Sequence, residues 1–328
     1  MTLPFARPRD TPETGDPRPT SNIYRFILRM GGGHQIGICL VALAVAAIAV
    51  APIELQKRII NDAIEGEDFD LLLWLGGIYL AVILARRALK FVLALYQRWL
   101  SESAALHCRR GLADAWAEGA DEDEARAARD EGRSGRTVSV VSSEIDKVCE
   151  FVGTGLSDPV ASGAKLVFAA GYMLLTEPLL ALVALGFFVP QAVIAPLVQR
   201  WLNKLERRRI DLLRRLSDDL VKPGGVGDER LGSIFGNRMV SESVKQALKA
   251  ALRILTSLAP LSVLVFGGYL YIQGSTSVGV IVAFMSGFER MADPAGALIN
   301  YYRIASIRNE QHGKVADWLE RALERSGG

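Results

Sequence analysis

The chain has 328 residues, 50% of them hydrophobic and 23% charged, with a formal net charge of +2 and a mean hydropathy of +0.22. A composition this apolar at this length excludes an ordinary soluble domain. The near-balanced charge says little by itself, but its distribution along the chain says more.

Residues 1–20 hold Pro4, Pro8, Pro12, Pro17 and Pro19 among charges, a leader unable to bury enough surface to fold alone. Ser21 or Asn22 can cap a short helix, in which Ile23, Phe26, Ile27 and Met30 share one face and Arg25 and Arg29 point elsewhere. That periodicity predicts a helix lying along the inner membrane surface. Gly31-Gly32-Gly33 then supplies a bend.

Six apolar stretches follow, at residues 34–53, 71–93, 159–175, 179–198, 254–272 and 278–299. A hydrocarbon core of about 30 Å needs about 20 such residues per helix. The first begins only after the polar leader and is longer than a signal-peptide core, so a retained span is expected. The gaps between stretches alternate. Thr176-Glu177-Pro178 and Gly274-Ser275-Thr276-Ser277 are minimal, whereas the second and fourth gaps are long, charged and helix-prone. Residues 71–118 contain no proline and read as one helix. A polar turn over residues 121–136 follows, and from Thr137 the chain reads as helical again through Ile145, Val148 and Val152. Residues 179–222 read as a helix of about 66 Å. It is ended by Pro223-Gly224-Gly225-Val226-Gly227, and residues 228–272 return. The expected fold is all-α: a polytopic membrane protein of six transmembrane helices with two long helical hairpins projecting on one side. Its divisions are a disordered leader (1–20), a six-helix domain (21–310, with surface helix 21–30) and a tail (311–328). Lys and Arg concentrate in the leader, the long gaps and the tail and are missing from the two minimal gaps. Both termini and both hairpins are therefore expected in the cytoplasm, and the protein in the inner (plasma) membrane.

Cys39, Cys108 and Cys149 form no CxxC pair or disulfide framework, and His34, His107 and His312 have no ligand spacing, so no metal site is expected. Charges within the spans are costly and mark functional candidates. The sixth stretch carries Glu289, Arg290 and Asp293, with Arg290 and Asp293 spaced to pair on one face. The second carries Arg86, Arg87 and Lys90, and the third Lys165. Two readings stay open for the second-span group: snorkelling to the inner interface, or lining a water-filled cavity. Tyr301-Tyr302-Arg303 reads as an interfacial belt.

Several segments are similar to the transmembrane (permease) domain of exporter-type ABC transporters. PIELQKRIINDAI, beginning at Pro52, resembles the end of that family's first span. GRTVSVVSSEIDKV, beginning at Gly135, resembles the segment after its first coupling helix. GGYLYIQGSTSVGVIVAFMSGFER, beginning at Gly267, resembles its turn from fifth to sixth span. The resemblance covers about residues 21–310. It implies a type-1 exporter transmembrane fold and a permease that moves an unidentified substrate by alternating access. The spans' charges would then line a cavity that takes an amphipathic or anionic substrate. The tip DEDEARAARDEGRSGR would dock on an ATPase through Asp121, Glu122, Asp123, Glu124, Arg126, Arg129, Asp130, Arg133 and Arg136.

The chain departs from the family pattern in two places. Gly313-Lys314 is the only Gly-Lys pair and no GxxxxGK[ST] loop occurs, so no ATPase site is expected in this chain and no cofactor of its own. ATP and Mg are expected on a separate ATP-binding subunit. At the second tip, KPGGVGDERLG stands where a second coupling helix would sit, and contact with the ATPase of the opposite half is in doubt there. The implied partners are that subunit, a second transmembrane half (a homodimer, or a paired permease) and membrane lipids; no nucleic acid is expected. The alternatives are a non-transporting scaffold or regulator that keeps the fold, and a fragment of a fused transporter.

Overall fold

A computed structural model describes residues 22–118, 133–186 and 228–326, together with Pro190, Trp201 and Lys204. The described residues are helical throughout, without a strand. In chain order the helices are α1 (Ile23–Gly31), α2 (Gly33–Ile48), α3 (Ala51–Arg58), α4 (Phe69–Glu118), α5 (Arg133–Thr154), α6 (Ser157–Thr176), α7 (Pro178–Gly186), α8 (Asp228–Ile272) and α9 (Val278–Ser326); a π-helical turn, Ile59–Ile64, extends α3. Among the described residues, three segments are long and apolar enough to cross a membrane: Gly33–Ile64, Ser143–Thr176 and Phe235–Ile272. Outward-facing side chains such as Ile36, Leu40, Leu84, Phe91, Val167, Leu264 and Val265 are exposed apolar surface suited to lipid.

The residues fall into two compact units. The first comprises Met1–Pro52, Trp74–Phe168 and Pro294–Gly328. Its core is built where the helical period repeats: Ile23, Ile27 and Met30 of α1, Ile38, Ala42 and Val45 of α2, Leu93, Leu100, Ala104 and Ala105 of α4, and Ile145, Val148 and Val152 of α5. Asn22 caps α1, its side-chain oxygen accepting the Tyr24 amide at 2.9 Å. Gly32 ends the helix at φ 49°, where an L side chain is strained, and so turns the chain into α2. The apolar face of α1 is covered by protein: Ile23 and Ile27 are fully buried, and α1 packs on α5. The face read from sequence as membrane-seeking is therefore largely spent on the core, leaving Arg25 and Leu28 exposed. The far end of α9 joins this packing. Asn309 Oδ1 accepts the Ile23 amide at 3.3 Å, the His312 ring lies 5.0 Å from that of Phe26, and the Tyr301 hydroxyl donates to the Gly155 carbonyl at 2.6 Å. Of the expected interfacial belt, Tyr302 is exposed, while Tyr301 is half-buried and stacked on Phe151. α9 also runs on through residues 311–326, which the sequence reading set apart as a tail.

α4 is one helix of 50 residues, about 75 Å long, as its freedom from proline predicts. It meets α5 at closest range at Gly153. A Cβ there would collide with the Gln97 carbonyl oxygen and lie 2.5 Å from Ser101 Oγ. Small residues permit this approach, and polar bonds then span it: Ser101 Oγ donates to the Glu150 carbonyl at 3.2 Å, and Gln97 Nε2 to Ser157 Oγ at 2.7 Å.

The second unit comprises Ile53–Leu73 and Ala169–Asp293. α6 ends at Thr176 and α7 starts at Pro178, a first-turn proline that costs no helix bond. α8 ends at Ile272, Gly274 takes φ 72°, and α9 starts at Val278, so both minimal gaps are tight helix–helix turns. α7 packs on α8. Within the unit, Leu180, Ala181 and Ala184 of α7, Ala259 and Val263 of α8, and Ala283, Phe284 and Phe288 of α9 are fully buried. Pro260 and Pro294 lie inside helices. Most of the expected fourth span, the second hairpin tip at 222–227 and the leader lie outside the described residues.

Gly153→Ala is expected to destabilise the first unit by about 1–3 kcal/mol, the range for overpacking a fitted contact. Gly163→Ala, with nothing within 4 Å of the added carbon, should be neutral or stabilising. Thermal unfolding midpoints of the two variants in lipid nanodiscs check this; equal midpoints would refute the close contact.

Candidate functional site

Within the first unit, the charges expected from sequence are sorted by the helical period. Arg86 and Lys90 stand one turn apart on α4 and share a face, and both act as like charges on Lys165 of α6. Asp158, in the first turn of α6, supplies the opposite charge to Lys165. Gln97 Nε2 holds Asp158, donating to its Oδ1 at 3.0 Å. Arg86 and Lys165 are half-buried and Lys90 is exposed; Arg87, also exposed, is not among the charges acting on Lys165. Among the described residues, Arg86, Lys90 and Lys165 bring three cations together, with the Asp158 carboxylate opposing Lys165. Such a group can hold an anion or the polar end of an amphipath, because each ammonium and the guanidinium offers only donors.

In the second unit, α9 carries Glu289 and Asp293 exposed and Arg290 half-buried, beside the buried Phe288 and Met291. Among the described residues no ion pair joins Arg290 to Asp293, although their spacing permits one. These charges therefore stand as separate polar positions on a helix whose other face is core.

A polar cluster not singled out from the sequence occupies the same unit. The Glu54 carboxylate accepts the Tyr172 hydroxyl at 2.7 Å, Lys57 Nζ at 2.9 Å and Arg58 Nε at 2.7 Å. Ser286 donates to Gln56 Oε1 at 2.5 Å. Asn61 closes the arrangement at the start of α9. Its Nδ2 donates to Ser277 Oγ at 2.7 Å and its Oδ1 accepts the Gly279 amide at 2.9 Å. Ser277 is the residue before α9, so its N-cap is shared with a side chain from the π-helical turn. Gly279 is required there, since a Cβ would meet the Asn61 side chain and stand 2.6 Å from the Lys57 carbonyl. The signal was present in two quoted stretches, PIELQKRIINDAI and the run through Gly279, but nothing local says that they meet.

Asp121, Glu122, Asp123, Glu124, Arg126, Arg129 and Asp130 lie outside the described residues. Arg133 and Arg136 begin α5, with their side chains likewise outside the description. Among the described residues no cluster of three or more His, Cys, Asp or Glu is placed to hold a metal.

Residues 36–217 match the family model described as "ABC transporter transmembrane region". Two relatives are similar over part of the chain. The Bacillus subtilis (strain 168) protein named "Putative multidrug export ATP-binding/permease protein YgaD" is 25% identical over 184 residues, covering 51% of this chain and 32% of the relative. The Mus musculus protein named "ATP-binding cassette sub-family B member 10, mitochondrial" is 26% identical over 215 residues, covering 58% of this chain and 29% of the relative. The chain thus spans about a third of the length of the curated relatives it matches.

Asn61→Leu would take from the Gly279 amide its side-chain acceptor and from Ser277 Oγ the shorter of its two bonds, and is expected to cost about 1–2 kcal/mol. Tyr172→Phe leaves Glu54 its two cations and should cost about 0.5–1 kcal/mol. Thermal midpoints in nanodiscs give the order, and a larger loss for Tyr172→Phe would displace the shared cap as the stronger tie.

Proposed function

The chain belongs to the ABC transporter transmembrane region family, and on that premise we propose that it is the permease part of an ATP-driven exporter. The match over residues 36–217 carries the reading. In it, six spans and two long cytoplasmic hairpins form one half of a dimeric pathway in the inner (plasma) membrane, with both termini cytoplasmic. Alternating access is driven by ATP and Mg bound to a separate ATP-binding subunit. That subunit engages residues 121–136, and closure of paired ATPases reopens the cavity outward.

The charges support a substrate class. Arg86, Lys90 and Lys165 offer a cationic face, which suits an anionic or amphipathic molecule. Glu289, Arg290 and Asp293 add a mixed polar face on the sixth span. Export of drugs is what the Bacillus relative's name carries, and amphipathic drugs fit an apolar cavity with a few charges. A second reading is that the ATPase belongs to the same polypeptide as this sequence. The observation favouring it is that the Bacillus relative is named as ATP-binding and permease together, and this chain spans about a third of it.

Affinity capture of the protein from its native membranes, with mass spectrometry of what accompanies it and an ATPase assay, tests both readings. A distinct stoichiometric ATPase subunit with vanadate-sensitive hydrolysis is the expected result. Nucleotide-binding peptides within the captured polypeptide itself would establish the fused form. Recovery alone or only with itself, without hydrolysis, would overturn both and leave a non-transporting scaffold.

A further inference from the structure

Within the first unit, α4 and α5 bring together a pair of cysteines that 41 positions of sequence separate. Cys108 of α4 and Cys149 of α5 stand with their sulfurs 3.7 Å apart, the Cys149 thiol directed at Cys108 Sγ. Both are free thiols; Cys149 is 1% exposed, and Cys108 is half-buried and open to solvent on one side. The helices are pinned on either side of the pair. Arg109 Nη2 bonds Asp146 Oδ1 at 2.6 Å next to it, and Ser101 Oγ bonds the Glu150 carbonyl at 3.2 Å on the other side, near the close contact at Gly153. The backbone thus already holds the two residues in register. Closing from 3.7 Å to a bonded separation of about 2.05 Å is within reach of side-chain rotation.

We propose that Cys108 and Cys149 are a redox-sensitive dithiol that closes to a reversible intramolecular disulfide joining α4 to α5. The oxidant is a small-molecule disulfide. The Cys108 thiolate, on the accessible side, attacks one sulfur of that disulfide and displaces the first thiolate, leaving a mixed disulfide. Cys149, buried from solvent, gives its proton to the first displaced thiolate and attacks Cys108 Sγ. The second thiolate leaves, and the two cysteines have given two electrons and two protons to make two small thiols. Proximity makes the second step intramolecular, so ring closure outruns reduction of the mixed disulfide by external thiol. In a reducing compartment the pair rests as thiols and closes only on oxidation.

The test treats the protein in lipid nanodiscs with oxidised glutathione, then unfolds it in detergent with N-ethylmaleimide present to block every free thiol, and maps the peptides. The expected product is a monomer with Cys108 and Cys149 peptides linked, lighter by two hydrogens, with Cys39 alkylated; dithiothreitol restores three alkylated cysteines. Cys108→Ser should abolish the link, and Cys149→Ser should leave glutathione trapped on Cys108. The wild-type peptide map decides the matter even where a variant fails to fold. Stable glutathione on wild-type Cys108, a link between two chains, or three alkylated cysteines after oxidation would each overturn the proposal.

Discussion

Lipid offers a peptide group no hydrogen-bond partner, and this constraint shapes the molecule. Within a helix the ladder satisfies itself; at each end about four amides or carbonyls are left over. The ends are where this chain spends its polar side chains. Asn22 serves the start of α1, and Gly32 turns back to the Leu28 carbonyl at its end. Tyr301 reaches the Gly155 carbonyl between α5 and α6. At the start of α9, Ser277 and Asn61 divide the task between two helices. The bonds of Tyr301 and Asn61 also tie an element to a distant one, so there satisfying an end and assembling the unit are the same act.

Glycine sets how near the helices come. Gly153 and Gly279 both stand where a Cβ would strike a neighbouring backbone carbonyl. Close approach brings more dispersion contact and puts short polar side chains within reach of the facing backbone. The Ser101–Glu150 bond depends on the first of these approaches and the Asn61–Gly279 bond on the second. The apolar residues that remain, such as Leu84 and Val265, face outward, the arrangement expected when lipid is the solvent.

The charges follow the same logic. The 100° step between neighbouring residues separates Arg86 from Arg87, placing the first with Lys90 near Lys165 and leaving the second exposed. Concentrating like charges on facing helices is unfavourable unless an anion or water meets them. Asp158 supplies one such anion to Lys165.

The sequence by itself determined the helical class, the unbroken length of α4, the tight turns before α7 and α9, a cap for α1 at Ser21 or Asn22, and the helix through Ile145, Val148 and Val152. All of these depend on period, proline and glycine within a few residues of one another. It also pointed to the family that the match over residues 36–217 establishes. Only the tertiary structure decided that α1 buries its apolar face in protein, since periodicity marks an apolar face without saying what covers it. The same holds for Glu54 with Tyr172, Asn61 with Gly279, and Cys108 with Cys149, whose partners lie 118, 218 and 41 positions apart. Local spacing cannot carry such pairings, because they depend on which helix face meets which, and packing sets that.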